Sequence, residues 1–404
     1  MKVLHINTSL EGSIGNIIKD IHHNLVLKYG EESSLIAIGK YKLGSHGFDK
    51  SEIIYFSNKF VNLFLRFQYF LFGNENNIAT NICTNNLIKY IIKFKPDIIH
   101  VHNLHGYYIN LNKILLFFEK YQTKYLFTLH DEFLYTGKCC YTYNCDKWKT
   151  YCFECPSLKD YPKTLKDNTY NNYIFKIDVL NRLKNITIIT PSKWLYKRLL
   201  NSNLNNIQSN IIYNGINTNL FYPRDKNYVL NKFNIENKKI ILSIANGLFD
   251  GRKGGEFVLD LATKFASLNN IIFIIISNDS SKIANKYSNI ITIDYIADQN
   301  ILSFYYSAAD VFLITSKSDN LPTVCLESLA CGTPVVGFNT GGIAEIVYDD
   351  IGELVPYGNT ILLKNAIFNI LNKPINYQFI CRDFILKNFM NQQMVDSYLK
   401  IYQS

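Results

Sequence analysis

Short unbroken apolar runs bounded by Gly, Asn, Pro and Asp alternate along this chain with longer stretches whose apolar positions recur three and four residues apart. The first pattern belongs to buried strands and the second to amphipathic helices. Strands are predicted over Lys2–Asn7, Ser34–Ile38, Asp97–His102, Lys124–His130 and Thr187–Thr190, with a glycine turn at Gly12 and Gly15 leading into a helix from about Asn16 to Tyr29. The pattern restarts near Ile211. Strands over Ile240–Ala245, Ile271–Ile276, Ile290–Ile293, Val311–Thr315 and Val335–Val336 are interleaved with helices over Gly255–Phe265 and Ile301–Ala309, and a last helix runs from about Met390 to Tyr402. Strands alternating with helices give parallel βαβ units and a doubly wound sheet. Two such series predict an α/β chain of two Rossmann-like domains, each offering the carboxyl ends of its strands to a central cleft. The expected division is a first domain over 1–212, a linker over 213–226 that holds Asn214-Gly215-Ile216-Asn217 and Pro223, a second domain over 227–389, and a terminal helix over 390–404.

Ile53–Phe72 stands apart because six polar residues interrupt a run of aromatic and aliphatic ones, too many for a membrane span. Asn58, Lys59, Asn62 and Arg66 fall on one helical face. Two readings fit: a packed helix with a solvated polar stripe, and a helix lying in a membrane interface. The first is favoured.

A length of 404 residues suits two cores better than one. Hydrophobic residues at 48% and charged residues at 19% describe a globular protein, and the start Met1-Lys2-Val3 reads as a strand with no export signal, so a cytoplasmic location is expected. The net charge of +9 suits an acidic partner, whether a diphosphate or an anionic membrane surface. No nucleic-acid-binding module is found, so nucleic acid is not expected as a partner.

The richest segment is Asp319-Asn320-Leu321-Pro322-Thr323, leading into a short helix that carries Glu327. Two carboxylates eight residues apart, around a helix start with free amides, suit a ligand with hydroxyls at both ends and phosphates between. A sugar nucleotide has that form. Asp250-Gly251-Arg252-Lys253-Gly254-Gly255 follows a strand and precedes a helix; Arg252 offers a bidentate fork and Lys253 a point charge to a diphosphate. His130-Asp131 ends a strand of the first domain. Behind another lies His100-Val101-His102-Asn103-Leu104-His105-Gly106-Tyr107-Tyr108, a polar and aromatic loop suited to a polyol.

Five cysteines fall within residues 139–155. Cys139, Cys145, Cys152 and Cys155, the last two in a Cys-x-x-Cys spacing, suit a closed tetrahedral zinc site that would pin a long insert; free thiols or an oxidised pair are the other readings.

The Asp319–Glu327 segment resembles the E-x7-E signature of the retaining, nucleotide-sugar-dependent glycosyltransferases of family 4, with Asp319 in place of the usual first Glu. The resemblance extends to Arg252-Lys253-Gly254, His130-Asp131, the Gly12–Gly15 turn, the His-rich loop and the Cys-rich insert. Those last two occur together in a subgroup from capsule, O-antigen and colanic-acid-type exopolysaccharide pathways. It implies a GT-B fold and a hexosyltransferase that needs no catalytic metal. The site residues it implies are Glu327 on the ribose, Asp319 on the sugar, and Arg252 and Lys253 on the diphosphate. Amides near Asn320, Leu321, Pro322 and Thr323, with Gly12 and Gly15, complete the donor side. His130 would orient or polarise at the reacting centre, with His102, His105, Tyr107 and Asp131 at the acceptor. The expected donor is a UDP-sugar, with a GDP-sugar as the other choice, and the expected acceptor a glycan on a lipid carrier. A nucleotide-sugar epimerase of the same fold and a non-catalytic sugar-nucleotide binder are the alternatives.

Overall fold

The computed structural model describes residues 1–39, 52–57, 59–74, 78–283 and 287–404. It divides into two compact units, Met1–Ile212 with Val395–Ser404, and Tyr213–Met394.

The first unit holds β1 (Val3–Asn7), β2 (Ser34–Ile38), β3 (Ile53–Tyr55), β4 (Ile98–Val101), β5 (Lys124–Thr128), β6 (Ile186–Thr190) and β7 (Ser209–Ile211), in the spatial order β3-β2-β1-β4-β5-β6-β7. The second holds β8 (Lys239–Ile244), β9 (Ile271–Ile276), β10 (Ile290–Ile293), β11 (Val311–Ile314), β12 (Val335–Phe338) and β13 (Gly352–Val355), in the order β10-β9-β8-β11-β12-β13. All the strand pairings are parallel. Parallel sheets are covered on both faces, which is why β9 is an unbroken Ile/Phe run with every residue buried. The direction of strand addition reverses between β1 and β4 in one sheet and between β8 and β11 in the other. At such a reversal the loops beyond the strand ends diverge and leave room for a ligand.

Three expectations change. The first helix begins at Gly12, not Asn16. Gly12 takes a left-handed φ of +70°, and a Cβ on Gly15 would stand 2.1 Å from the Leu10 carbonyl oxygen, so both glycines serve a helix that starts hard against the end of β1. The Ile53–Phe72 segment splits into the edge strand β3 and a helix Lys59–Phe72. The favoured reading holds in part: Leu65 and Tyr69 are packed, but Asn62 turns inward to Ser57 and to the Gly39 carbonyl, while Phe60, Leu63 and Phe67 are 85%, 68% and 60% exposed. Arg66 is exposed and Asn58 lies outside the described residues. No helix among the described residues is long and apolar enough to cross a membrane.

Candidate functional site

In the second unit two loops meet where the strand order reverses. The turn after β8 uses left-handed glycines at Gly251 and Gly254. A Cβ on Gly254 would stand 2.2 Å from the Thr315 carbonyl oxygen, so the turn lies directly on the chain leaving β11. The Thr315 hydroxyl donates to the carbonyls of Lys253 and Gly254 at 2.9 Å each, and the Lys317 N–H donates to Arg252 O at 2.8 Å. These bonds fix Arg252 and Lys253 beside Asp319. Arg252 Nη1 donates to Asp319 Oδ1 at 2.7 Å, and Lys253 Nζ reaches Oδ1 and Oδ2 at 3.0 and 2.8 Å.

Electrostatics follow from that contact. Burial alone would raise the Asp319 pKa, but the charges of Lys253 and Arg252 outweigh it and hold the carboxyl at about 2. Burial shifts the Lys253 ammonium downward, with Asp319 opposing. On the far side the backbone of Asp319 is pressed by a glycine pair: Gly342 N–H donates to Asp319 O at 3.0 Å, and a Cβ on Gly341 would stand 1.8 Å from that oxygen.

Glu327 sits in the helix Thr323–Ala330, whose residues Cys325–Ala330 are all buried. It accepts from the Tyr306 hydroxyl at 2.7 Å. Burial raises its pKa, against the pull of Tyr306 and Thr323 hydroxyls. Asp319 is thus held charged by cations and Glu327 is held by neutral hydroxyls. Asn320 and Leu321 are buried ahead of the helix, Pro322 stands at its N-cap position, and Asn214 secures the stretch by donating to Leu321 O at 3.2 Å. Tyr306 carried no sequence signal, and Asn214 stood out only as part of the linker.

In the first unit strand register gathers the histidines. His5 of β1 lies directly opposite His100 of β4, and His102 follows on the same face because side chains alternate along a strand. His5 Nδ1 and His102 Nε2 are 3.3 Å apart, and His102 Nδ1 and His130 Nε2 are 3.1 Å apart. His100 meets the Tyr402 hydroxyl at 2.6 Å and the Thr128 hydroxyl at 2.8 Å, and Thr128 meets the Tyr398 hydroxyl at 3.1 Å. Burial lowers the pKa of all four imidazoles, to about 3 for His5 and about 4 for His130. His105 pairs with Asp131 at 2.7 Å and contacts the Tyr161 hydroxyl at 3.2 Å. His102, Asn103, His105, His130, Asp131 and Phe133 line one pocket.

Of the residues expected at an acceptor, Tyr107 lies outside the pocket lining and His102 is withdrawn within it. Tyr107 is buried, packing its ring on Tyr69 and Tyr161 away from the pocket lining. His102 is 4% exposed and commits both ring nitrogens to His5 and His130. Of the expected set, His102, His105, His130 and Asp131 line the pocket, His102 with both ring nitrogens already engaged.

Of the four zinc-candidate cysteines, Cys139 and Cys155 have their sulfurs 4.0 Å apart. Two thiolates on one tetrahedral zinc, each at about 2.3 Å, stand roughly 3.8 Å apart. Cys145 and Cys152 line the same small pocket, although neither completes a three-sulfur group within 4.8 Å. We propose that the four cysteines hold a structural zinc, for which the Cys139–Cys155 spacing leaves room.

A family model described as Glycosyltransferase Family 4 matches residues 50–220, and one described as Glycosyl transferases group 1 matches residues 226–381. The putative colanic acid biosynthesis glycosyl transferase WcaC of Escherichia coli K12 is 24% identical over an alignment spanning all of both chains. An uncharacterized 41.2 kDa protein of the Klebsiella pneumoniae cps region is 22% identical, again over all of both. Among solved structures, sucrose-phosphate synthase from Thermosynechococcus elongatus superposes with a TM-score of 0.73 at 17% identity, covering 100% of this chain and 98% of that one. HepE of Anabaena, in complex with UDP, superposes with a TM-score of 0.70 at 14% identity over 100% of both.

Proposed function

Since the chain belongs to glycosyltransferase family 4, as a hexosyltransferase with the GT-B fold, we propose that it moves a sugar, with retention, from a nucleoside-diphosphate sugar to a hydroxyl of a lipid-linked glycan in surface-polysaccharide synthesis. The observation that carries the donor side is the pair Arg252 and Lys253 converging on buried Asp319 in a loop where the strand order reverses. A diphosphate offers those cations further negative charge. Preorganised cations at a departing diphosphate stabilise the charge that develops as the sugar leaves, the work Mg²⁺ does at other sites. Asp319 then addresses the sugar hydroxyls, and Glu327, held by Tyr306, the ribose hydroxyls.

In this reading the bond from the sugar's anomeric carbon to the diphosphate oxygen breaks. A bond to the acceptor oxygen forms on the same face, and the acceptor's proton passes to the departing phosphate oxygen. No side chain serves as nucleophile. His130, His105 and Asp131 receive the acceptor. A UDP-sugar is the favoured donor; the colanic-acid and cps-region relatives support the polysaccharide context.

A melting-temperature panel with UDP, GDP and their sugar conjugates on wild type and Glu327→Gln tests the donor side. A nucleotide that binds only the folded protein raises its melting temperature. The expected result is a shift with one base, lost in the variant. Glu327→Gln itself should melt no lower than wild type at neutral pH. The folded-state pKa of Glu327 is raised, so its ionised form costs stability once the pH exceeds that of the unfolded side chain. No shift with any nucleotide would refute the donor assignment. Conversion of the sugar nucleotide without an acceptor would favour an epimerase.

A further inference from the structure

His5, His102 and His130 form a row of three imidazoles joined nitrogen to nitrogen. Each neutral ring has one N–H and one lone pair. The two contacts therefore permit only two arrangements. If His5 carries its proton on Nδ1, it donates to His102 Nε2, His102 must carry its own proton on Nδ1 and donate to His130 Nε2, and His130 is left protonated on Nδ1. In the reverse arrangement all three protons sit on Nε2.

The inner end of the row decides between them. His5 is 0% exposed, and its Nε2 has no hydrogen-bonding partner among the described residues. The reverse arrangement would place an N–H donor there with nothing to receive it. The first leaves only a lone pair. Orphaned buried donors are rarer in folded proteins than under-satisfied acceptors. Burial also keeps the three rings neutral, so a doubly protonated ring does not break the row.

We infer that His5 and His102 are positioning residues that lock His130 as an Nδ1–H donor with its Nε2 lone pair consumed. This rests on the reading of His130 as an acceptor-side group. On that reading His130 cannot take the acceptor's proton: its basic nitrogen is already occupied, and the row behind it ends at a buried, unpartnered nitrogen. It donates to a substrate oxygen instead, and the proton must leave with the phosphate.

Two-bond ¹H–¹⁵N correlation spectra of ¹⁵N-histidine-labelled full-length protein, without substrate and between pH 6 and 8, read the protonated nitrogen of each ring. Single-histidine variants supply the assignments. The expected wild-type result is Nδ1–H at His5, His102 and His130; Nε2–H at any of the three overturns the proposal. His5→Asp places an acceptor-only oxygen near the site of Nδ1 and should switch His130 to Nε2–H, whereas His5→Asn, with an amide able to donate, should keep Nδ1–H. A folded His5→Asp protein with unchanged His130 also overturns it, and if that variant fails to fold the wild-type spectrum still decides. Because the spectrum needs no substrate, its failure is separable from that of the acceptor-side reading, which a His130→Ala protein with undiminished transfer would refute.

Discussion

Lys253 Nζ lies within 3.0 Å of both carboxylate oxygens of Asp319, and both side chains are largely withdrawn from solvent. Asp319→Asn removes the anion and leaves the cation. Losing one partner of a buried pair costs about 3–5 kcal/mol, because the survivor keeps its charge without compensation. A nucleoside diphosphate would supply the missing charge. Melting-temperature shifts with UDP or GDP should therefore be larger in Asp319→Asn than in wild type, while sugar transfer is lost. An equal or smaller shift would mean that Arg252 and Lys253 do not hold the diphosphate. The pH dependence has a definite sign. The folded-state pKa of about 2 lies below the ordinary 3.8, so the pair's contribution is complete above about pH 4 and disappears as pH falls toward 2.

The histidine row should make the protein acid-sensitive well above that range. His5, His100 and His102 are buried and neutral in the fold, and each takes up a proton when the chain unfolds below pH 6.5. The unfolded state then binds more protons, so stability falls as pH drops. Each imidazole adds a slope of about 1.4 kcal/mol per pH unit. Urea melts between pH 7 and 5 should show a slope several times that of one histidine; a slope matching a single histidine would contradict the neutral cluster.

The helix Lys59–Phe72 presents Phe60, Leu63, Phe64, Phe67, Phe70 and Phe72 to solvent, and Leu165 N–H donates to Phe70 O, which brings the exposed residues Lys163, Leu165 and Lys166 alongside. We propose that this surface meets an anionic membrane. Burying a Phe side chain is worth about 1.5–3 kcal/mol, so Phe64→Ser with Phe67→Ser should weaken binding to phosphatidylserine vesicles roughly 100-fold or more. The nucleotide-induced melting shift should be unchanged. Failure of the wild type to co-sediment with such vesicles at low salt would remove the membrane from the proposal.

The zinc proposal predicts one zinc per chain in purified protein, lost in Cys139→Ser and in Cys155→Ser, with a lower melting temperature after chelation. A content well under one zinc per chain would end it.

Much of the second unit was legible because its signals are local. β9 and β10 coincide with their apolar runs, and the Thr323–Ala330 helix opens inside the acidic segment. What joins the site is not local. Arg252 meets Asp319 across 67 residues, Tyr306 meets Glu327 across 21, and His5 meets His102 across 97. Residue types suggested that cations and carboxylates share a ligand, but not that they already bind one another. The face of the Lys59–Phe72 helix was misjudged for a related reason: periodicity separates two stripes without saying which is covered. The helix Ile78–Phe94 escaped notice because it buries Leu87 and Ile91 yet exposes Ile82 and Ile92, which blurs its period.

The hydroxyls that satisfy His100 and Thr128 come from Tyr402 and Tyr398, which follow the whole second unit in sequence. Residues up to 211 hold the seven strands of the first sheet, yet His100 and Thr128 lack those two hydroxyls without the segment beyond the second unit. The first unit's full stability therefore depends on a segment that the second unit separates from it in sequence. A fragment cut at residue 212 should be a poorer folder than its intact sheet suggests, and supplying residues 395–404 in trans is the natural way to repair it.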